Sequence, residues 1–415
     1  MKKLVCLIPF GLLVVLGLVF LFAREEKKTK KAEDYYSGQY VKEVFKKDRV
    51  GKIEITMDAK DYQDLKENPL EKNYYSCQLN FGKLHLKNVG IRTKGNTSLE
   101  HVVKEGGEKY SLKLEFDHYQ KGQTLYGLDK LCLNNGYQDP GNLREYTAYS
   151  VFEKMGAQTP LFSYFQLVIN GENLGLYLGV EGIEEAFLKR TTGSISGNLY
   201  KPEEALDGKY LEYIDGNPDS YPAIFTASVF GNESQADKEK LVACLKALSL
   251  EENLENTWDL SQVIPYLAAS SFVVNDDSYV GNMFHNYYLS YKDGKASIFP
   301  WDYNYAFGKF DAQVPLLHAK RSVDSPIANG GTKKKVLVYQ VISKEDLREE
   351  YHKLLLQTAK CQVEEEGISK FLDEAEAVLL KESLCDQEEL ETAKEEIKEF
   401  IVARSESILA QLQSE

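Results

Sequence analysis

Three short segments concentrate acidic and amide side chains between apolar runs: Asn275-Asp276-Asp277, His285-Asn286-Tyr287-Tyr288-Leu289 and Phe299-Pro300-Trp301-Asp302. A soluble fold rarely spends charge there without a purpose, and the oxygen-rich set suits a metal-phosphate site. Mg²⁺ takes hard carboxylate and amide oxygens, usually one or two from the protein, while nucleotide phosphates and water complete its octahedron. A separate carboxylate is then free to serve as a base.

Polar landmarks upstream extend the pattern. Arg92-Thr93-Lys94-Gly95-Asn96-Thr97-Ser98 follows a strand pattern, Lys113 lies within another, and Arg144-Glu145 sits on a helical one. Protein-kinase chemistry needs a strand lysine on the phosphates, a helix glutamate to hold it, an aspartate facing the substrate hydroxyl, and an Asn and an Asp on the metal. Lys113, Glu145, Asp277, Asn286 and Asp302 supply these types in that order. The details depart from an ordinary kinase: no GxGxxG loop precedes Lys113, no His-Arg-Asp precedes Asp277, and Trp301-Asp302-Tyr303 stands where Asp-Phe-Gly would.

Each residue also has an ordinary reading. An alternating strand exposes lysines such as Lys113 by default. Glu145 could pair along a surface helix for some tenths of a kcal/mol. Asp276 is the alternative base, and Asn275 a turn cap. His285 and Trp301 read as packing residues. Gly95 either lets the backbone approach phosphate or simply makes a turn.

The elements that must position this set are strands first and helices later. Residues 52–57 alternate like a strand, as do 74–81, 83–92 and 110–116, with a helix at 60–67. Asp139-Pro140 opens a helix that Gly156 stops. Strands 162–169 and 174–180 flank Asn170-Gly171, a hairpin signal. Residues 202–235 are turn-rich, 238–248 and 260–274 read as helices, and the chain is almost wholly helical from 345 onward. The pattern predicts an α+β arrangement with a β-rich N-terminal lobe over 49–182 and a mainly helical C-terminal lobe over 183–415, the catalytic cluster falling at 275–308.

The 415 residues carry 64 acidic against 50 basic side chains, a formal charge of −14, which opposes nonspecific nucleic-acid binding and favours a basic polypeptide partner. The six cysteines are dispersed without a CxxC, so neither a zinc site nor a disulfide framework is expected. Residues 4–23 form an apolar run long enough to span a bilayer, with no small-x-small cleavage site before Arg24. An uncleaved membrane anchor over 1–23 is preferred to a signal peptide, followed by a charged stalk over 24–48. Basic residues after the run favour a cytoplasmic body, while the short basic N-terminus resembles an export signal, so the side of the membrane stays open.

Several blocks together resemble the CotH family, the spore-coat H type of atypical kinase, across about 52–309. They include the Arg92–Ser98 stretch with Tyr110-Ser111-Leu112-Lys113-Leu114, Leu133-Asn134-Asn135 through Asp139, Leu143-Arg144-Glu145 with Ala148-Tyr149, Val168-Ile169-Asn170-Gly171-Glu172 and the cluster ending at Gly308. The resemblance implies a bilobal, protein-kinase-like fold and transfer of the ATP γ-phosphoryl group to Ser or Thr of a protein, with Mg²⁺ or Mn²⁺. It implies Asp277 as catalytic aspartate, Asn286 and Asp302 on the metal, and Lys113 on the phosphates. Arg92, Arg144 and Glu181 fall on family motif positions. Many members carry a second acid two residues after the metal aspartate; here Asn304 stands there, keeping an oxygen and losing a charge. The implied partner is a Ser-rich coat or envelope protein, and the acidic balance favours a basic one. A catalytically silent scaffold is the competing class, and a phosphoesterase is disfavoured because no His-rich or two-metal ligand set accompanies the acids. Export of the body would separate it from ATP.

Overall fold

Strand alternation builds the first half of the molecule. In β1 (Gly51–Met57) Ile53, Ile55 and Met57 are buried while Glu54 and Thr56 face water, the period-2 pattern that commits one face to a core. The computed structural model describes residues 36–202, 211–281, 283–311, 315–327 and 336–413. Six further strands join β1: β2 (Tyr75–Phe81), β3 (Leu84–Thr93), β4 (Leu112–Glu115), β5 (Lys130–Asn134), β6 (Phe162–Ile169) and β7 (Glu172–Glu181). They close into a barrel in the order β1-β2-β3-β4-β5-β7-β6. The seam is a parallel pairing of β1 with β6, Gly51 opposite Phe165 through Ile55 opposite Ile169. Its interior holds Ile53, Ile55, Leu79, Ile91, Leu112, Leu114, Leu131, Leu133 and Phe165. Asn170 and Gly171, both at positive φ, make the expected turn between β6 and β7.

The sequence pattern omits β5, whose five residues are all buried. Burial on both faces removes the alternation that betrays a strand.

The expected stalk is corrected where it can be seen. Residues 24–35, like the apolar run 4–23, lie outside the described residues, but Tyr36, Tyr40, Val44 and Phe45 are buried in the barrel's core cluster. The ordered body therefore begins before residue 49, and its first turn, Tyr40–Glu43, is fastened by the Tyr40 backbone N–H donating to the Tyr126 carbonyl at 2.9 Å. Among the described residues no helix is long and apolar enough to cross a membrane.

The second half is a helical body with its own core. Helix Leu143–Met155 buries almost every residue because it lies between the barrel's outer face, where Tyr146 meets Phe162 and Tyr164 at ring distances of 4.9 and 5.0 Å, and the later helices. It starts later than the Asp139-Pro140 signal suggests, since Gly141 and Asn142 adopt left-handed conformations first; Gly156, at φ 89°, ends it as expected. Against it pack Leu260–Val273, Ser369–Glu382 and Gln387–Leu412, and Glu345–Glu365 packs in turn on the first and last of these. A small antiparallel sheet of β8 (Asn198–Tyr200), β9 (Tyr287–Lys292) and β10 (Lys295–Pro300) carries the acidic and amide cluster on its flanking loops. Between Pro202 and Gln235, the turn-rich segment inserts Leu211, Tyr221 and Ile224 into the core.

Candidate active site

The barrel contributes cations by simple register. Arg92 on β3 stands opposite Lys113 on β4, and Lys113 opposite Cys132 on β5. Their neighbours Ile91, Leu112, Leu114, Leu131 and Leu133 fill the barrel, so alternation turns Arg92 and Lys113 outward. Outward here means into a cleft of about 550 Å³, within the usual range for small-molecule sites. The opposite wall is the loop system of the small sheet: Asp277, His285, Asn286, Trp301, Asp302 and Asn304. Arg92, Lys113, Asp277, Asn286 and Asp302, separated by up to 210 positions in the sequence, thus meet in one cavity.

The acidic wall is held by local hydrogen bonds. Asn275 Oδ1 accepts from the Asp277 backbone N–H at 3.0 Å, the turn cap expected of it. Asn286 Nδ2 donates to Asp277 Oδ2 at 2.9 Å, which fixes the carboxylate and leaves the amide oxygen for another partner. His285 Nδ1 lies 3.8 Å from Asp277 Oδ1. Asn286 and Asp302 both adopt left-handed backbone conformations, φ 53° and 58°, which Asn and Asp tolerate better than most residues. The Asp302 N–H donates to the Tyr149 hydroxyl at 3.1 Å, so helix Leu143–Met155 anchors the turn directly. Asp276, the alternative base, is instead clamped by Arg321 through bonds of 2.7 and 2.8 Å and does not line the cleft.

Gly281 lets this loop fold on itself, because a Cβ there would come within 2.2 Å of the Asp276 carbonyl carbon and oxygen. Gly281→Ala is therefore expected to push the Asp276-Asp277 turn apart and lower the melting temperature by several degrees, read by thermal denaturation; an unchanged melt would show that the loop has slack.

The expected pairing of Glu145 with Lys113 is not what the side chains do. Glu145 Oε2 accepts from Asn134 Nδ2 at 2.6 Å, and Asn134 Oδ1 accepts from Lys94 Nζ. Lys94 lines the cleft, with its ammonium 5.9 Å from the centre of the Trp301 ring. Glu145 is thus tied to a lysine through an amide, and the lysine is Lys94. Burial, and after it the charge of Asp302, raises the Glu145 carboxyl to about 8. Its Oε1 has no hydrogen-bond partner among the described residues. Lys94, Asn134 and Tyr149 are participants that residue types alone did not single out, although all three lie inside the motif blocks.

Two further expected residues lie away from the cleft. Arg144 is buried in an ion pair with Glu396 at 2.6 Å on the side of the C-terminal helix. Glu181, fully buried, accepts from Arg190, from the Tyr40 hydroxyl at 2.5 Å and from the Leu161 N–H at 2.9 Å. Neither lines the cavity, so both serve as clamps between elements.

Lys113 has no ion-pair or hydrogen-bond partner among the described residues, and burial, helped by the charges of Lys130 and Arg92, pushes its ammonium down to about 8 from the ordinary 10.5. A cation held below its unfolded pKa costs stability at neutral pH, and the cost fades as pH rises from about 8 toward the unfolded value. Affinity for a phosphate-bearing ligand is expected to fall between pH 7 and 9 as the ammonium is lost, and Lys113→Met should flatten that profile in ATP titrations followed by calorimetry.

The mixed α+β chain thus sets barrel cations opposite a loop-borne group of carboxylates and amides across one cleft. The chain belongs to the CotH family: the family model described as CotH kinase protein matches residues 91–408. It is 21% identical to the inner spore coat protein H of Bacillus subtilis (strain 168) over 247 residues, 58% of this chain and 65% of that protein. A second relative from the same organism, an inner spore coat protein H-like protein, is 31% identical over 83 residues, 20% of this chain and 25% of that one. The matched stretches thus span less than two thirds of either relative.

Proposed function

We propose that this chain is an ATP-dependent protein kinase that transfers the γ-phosphoryl group to Ser or Thr of a coat or cell-envelope protein, the barrel acting as N-terminal lobe and the helical body as C-terminal lobe of an atypical kinase-like bilobal fold. The observation that carries the reading is the meeting of Arg92 and Lys113 with Asp277, Asn286 and Asp302 in one cavity. The donor chemistry fits the groups this requires: cations on one wall for phosphates, hard oxygens on the other for Mg²⁺ or Mn²⁺. When bound, the metal would neutralise charge on the phosphates.

The chain's own residues do the rest. Lys113 and Arg92 orient the phosphates, and Lys94 reaches the same space from its Asn134-Glu145 tether. The oxygens of Asn286 and Asp302 would hold the metal. Asp277, fixed by Asn286 and the Asn275 cap, takes the proton of the incoming hydroxyl as its oxygen bonds to phosphorus and the bond to the leaving diphosphate breaks. The acidic surface, −14 overall, steers a basic, Ser-rich substrate. We place the protein at the spore coat or envelope, held by the apolar run 4–23 as membrane anchor.

Asn304, which lines the cleft where many members carry an acid, favours a second reading, a silent kinase-fold scaffold for coat assembly. The deciding experiment incubates the full-length chain with γ-labelled ATP and Mg²⁺ or Mn²⁺, using a basic Ser-rich peptide and the protein itself as acceptors. Incorporation by wild type that is lost in Asp302→Ala supports the kinase. A folded wild-type protein that neither incorporates label nor binds ATP supports the scaffold.

A further inference from the structure

Behind the cleft, where β7 runs into helix Glu185–Thr192, three carboxylates crowd together. One oxygen each from Asp129, Glu184 and Glu185 lie within 4.8 Å of one another. Asp129 is 2% exposed; its Oδ2 accepts the Ala186 N–H at 3.1 Å, capping the helix, while Oδ1 has no hydrogen-bond partner among the described residues. An acceptor sealed from water and left unmade is costly, and a carboxylate more so. The nearest cation does not balance the group: Lys130 divides its ammonium between Glu184 and, at 3.4 Å, Glu115. Asp117 adds another negative charge, and burial together with Glu115 and Glu184 raises its carboxyl. Burial and the charges of Glu184 and Glu185 raise that of Asp129 well above the ordinary range.

We propose that Asp129, Glu184 and Glu185 form a binding site for a divalent, oxygen-preferring cation of the Ca²⁺ type, separate from the Asn286-Asp302 position. Three carboxylates of differing exposure supply the flexible all-oxygen set that Ca²⁺ accepts at six to eight ligands, water completing it. Glu184 is shared: its Oε1 takes Lys130, its other oxygen is free for the ion, and its residue lines the cleft beside Gly182. An ion here pins the crossing from barrel to helical body, Gly182 to Glu185, and so sets the rear wall of the cleft. The competing arrangement is a proton shared between Asp129 and Glu185, which needs no metal.

Tyr36, 8% exposed and electrostatically coupled to Glu185 and Asp129, supplies a sensitiser for terbium luminescence. The full-length protein carrying Asp302→Asn, which removes the metal-holding acid proposed for the cleft, is titrated with Tb³⁺ under tyrosine excitation and then with Ca²⁺. Saturable emission that Ca²⁺ displaces, and that falls at least tenfold when Glu185→Gln or Asp129→Asn is added, is the expected result. Absence of emission, or emission unchanged by those substitutions, overturns the proposal and leaves the shared proton. Glu185 is only partly buried, so Glu185→Gln decides the matter should Asp129→Asn fail to fold by circular dichroism. No nucleotide or acceptor enters the assay, so its outcome is independent of the kinase reading.

Discussion

Asp302→Asn is expected to reduce phosphoryl transfer by about 10²–10³-fold, the loss typical of removing one preorganised charge-stabilising group, while leaving the melting temperature unchanged or raised. The two halves of this expectation have one origin. Asp302 is held in a left-handed turn by Tyr149, close enough to the buried Glu145 that its charge pushes the Glu145 carboxyl upward. Such a pair of acids is unfavourable until a cation joins it, so neutralising one relieves the folded state and removes the reason for the arrangement. A Mg²⁺-dependent stabilisation by ATP, worth ~2.7 kcal/mol at a hundred times the dissociation constant, should vanish in the same variant. Transfer at the wild-type rate by Asp302→Asn would remove this residue from the chemistry altogether.

Glu181→Ala should act in the opposite way, costing stability by about 3–5 kcal/mol, as expected when one member of a buried ion pair is removed, with little change in nucleotide affinity once the protein is folded. The carboxylate joins three elements: Arg190 on helix Glu185–Thr192, Tyr40 in the N-terminal turn and the backbone of Leu161. Removing it leaves the Arg190 guanidinium without its carboxylate partner and the Tyr40 hydroxyl with only the Ala186 carbonyl, 3.2 Å away. A drop in melting temperature on the order of 5–10 °C is anticipated from that cost. A variant that melts with the wild type yet no longer binds ATP would return Glu181 to the cleft.

The contrast between these residues shows what the sequence makes legible. Asp277, Asn286 and Asp302 stand out because polar ligands between apolar runs violate the ordinary pattern of a core, and the structure gathers them. Arg144 and Glu181 occupy motif positions too, but an ion pair that fastens two elements recurs in a motif as readily as a ligand does. The Lys94-Asn134-Glu145 chain was hidden for another reason: its middle member is a neutral amide, and its ends lie 51 positions apart. Residues 36–45 read as stalk because they continue from the Lys/Glu-rich stretch 24–34, although Tyr36, Tyr40 and Val44 recur every four residues, the spacing of a buried helical stripe. Helices from 345 onward were plain, since length and period both spoke for them.

Joining β1 to β6 in parallel has a bearing on how the chain is made. The two strands are more than a hundred residues apart, so a ribosome that has finished β1 through β5 has released an open sheet with bare hydrogen-bonding edges. Closure waits for β6 and β7, and pairings of such long sequence separation are slow to form. Folding of the first half is thus expected to lag behind its synthesis, and products ending before residue 181 should aggregate rather than persist as a free barrel.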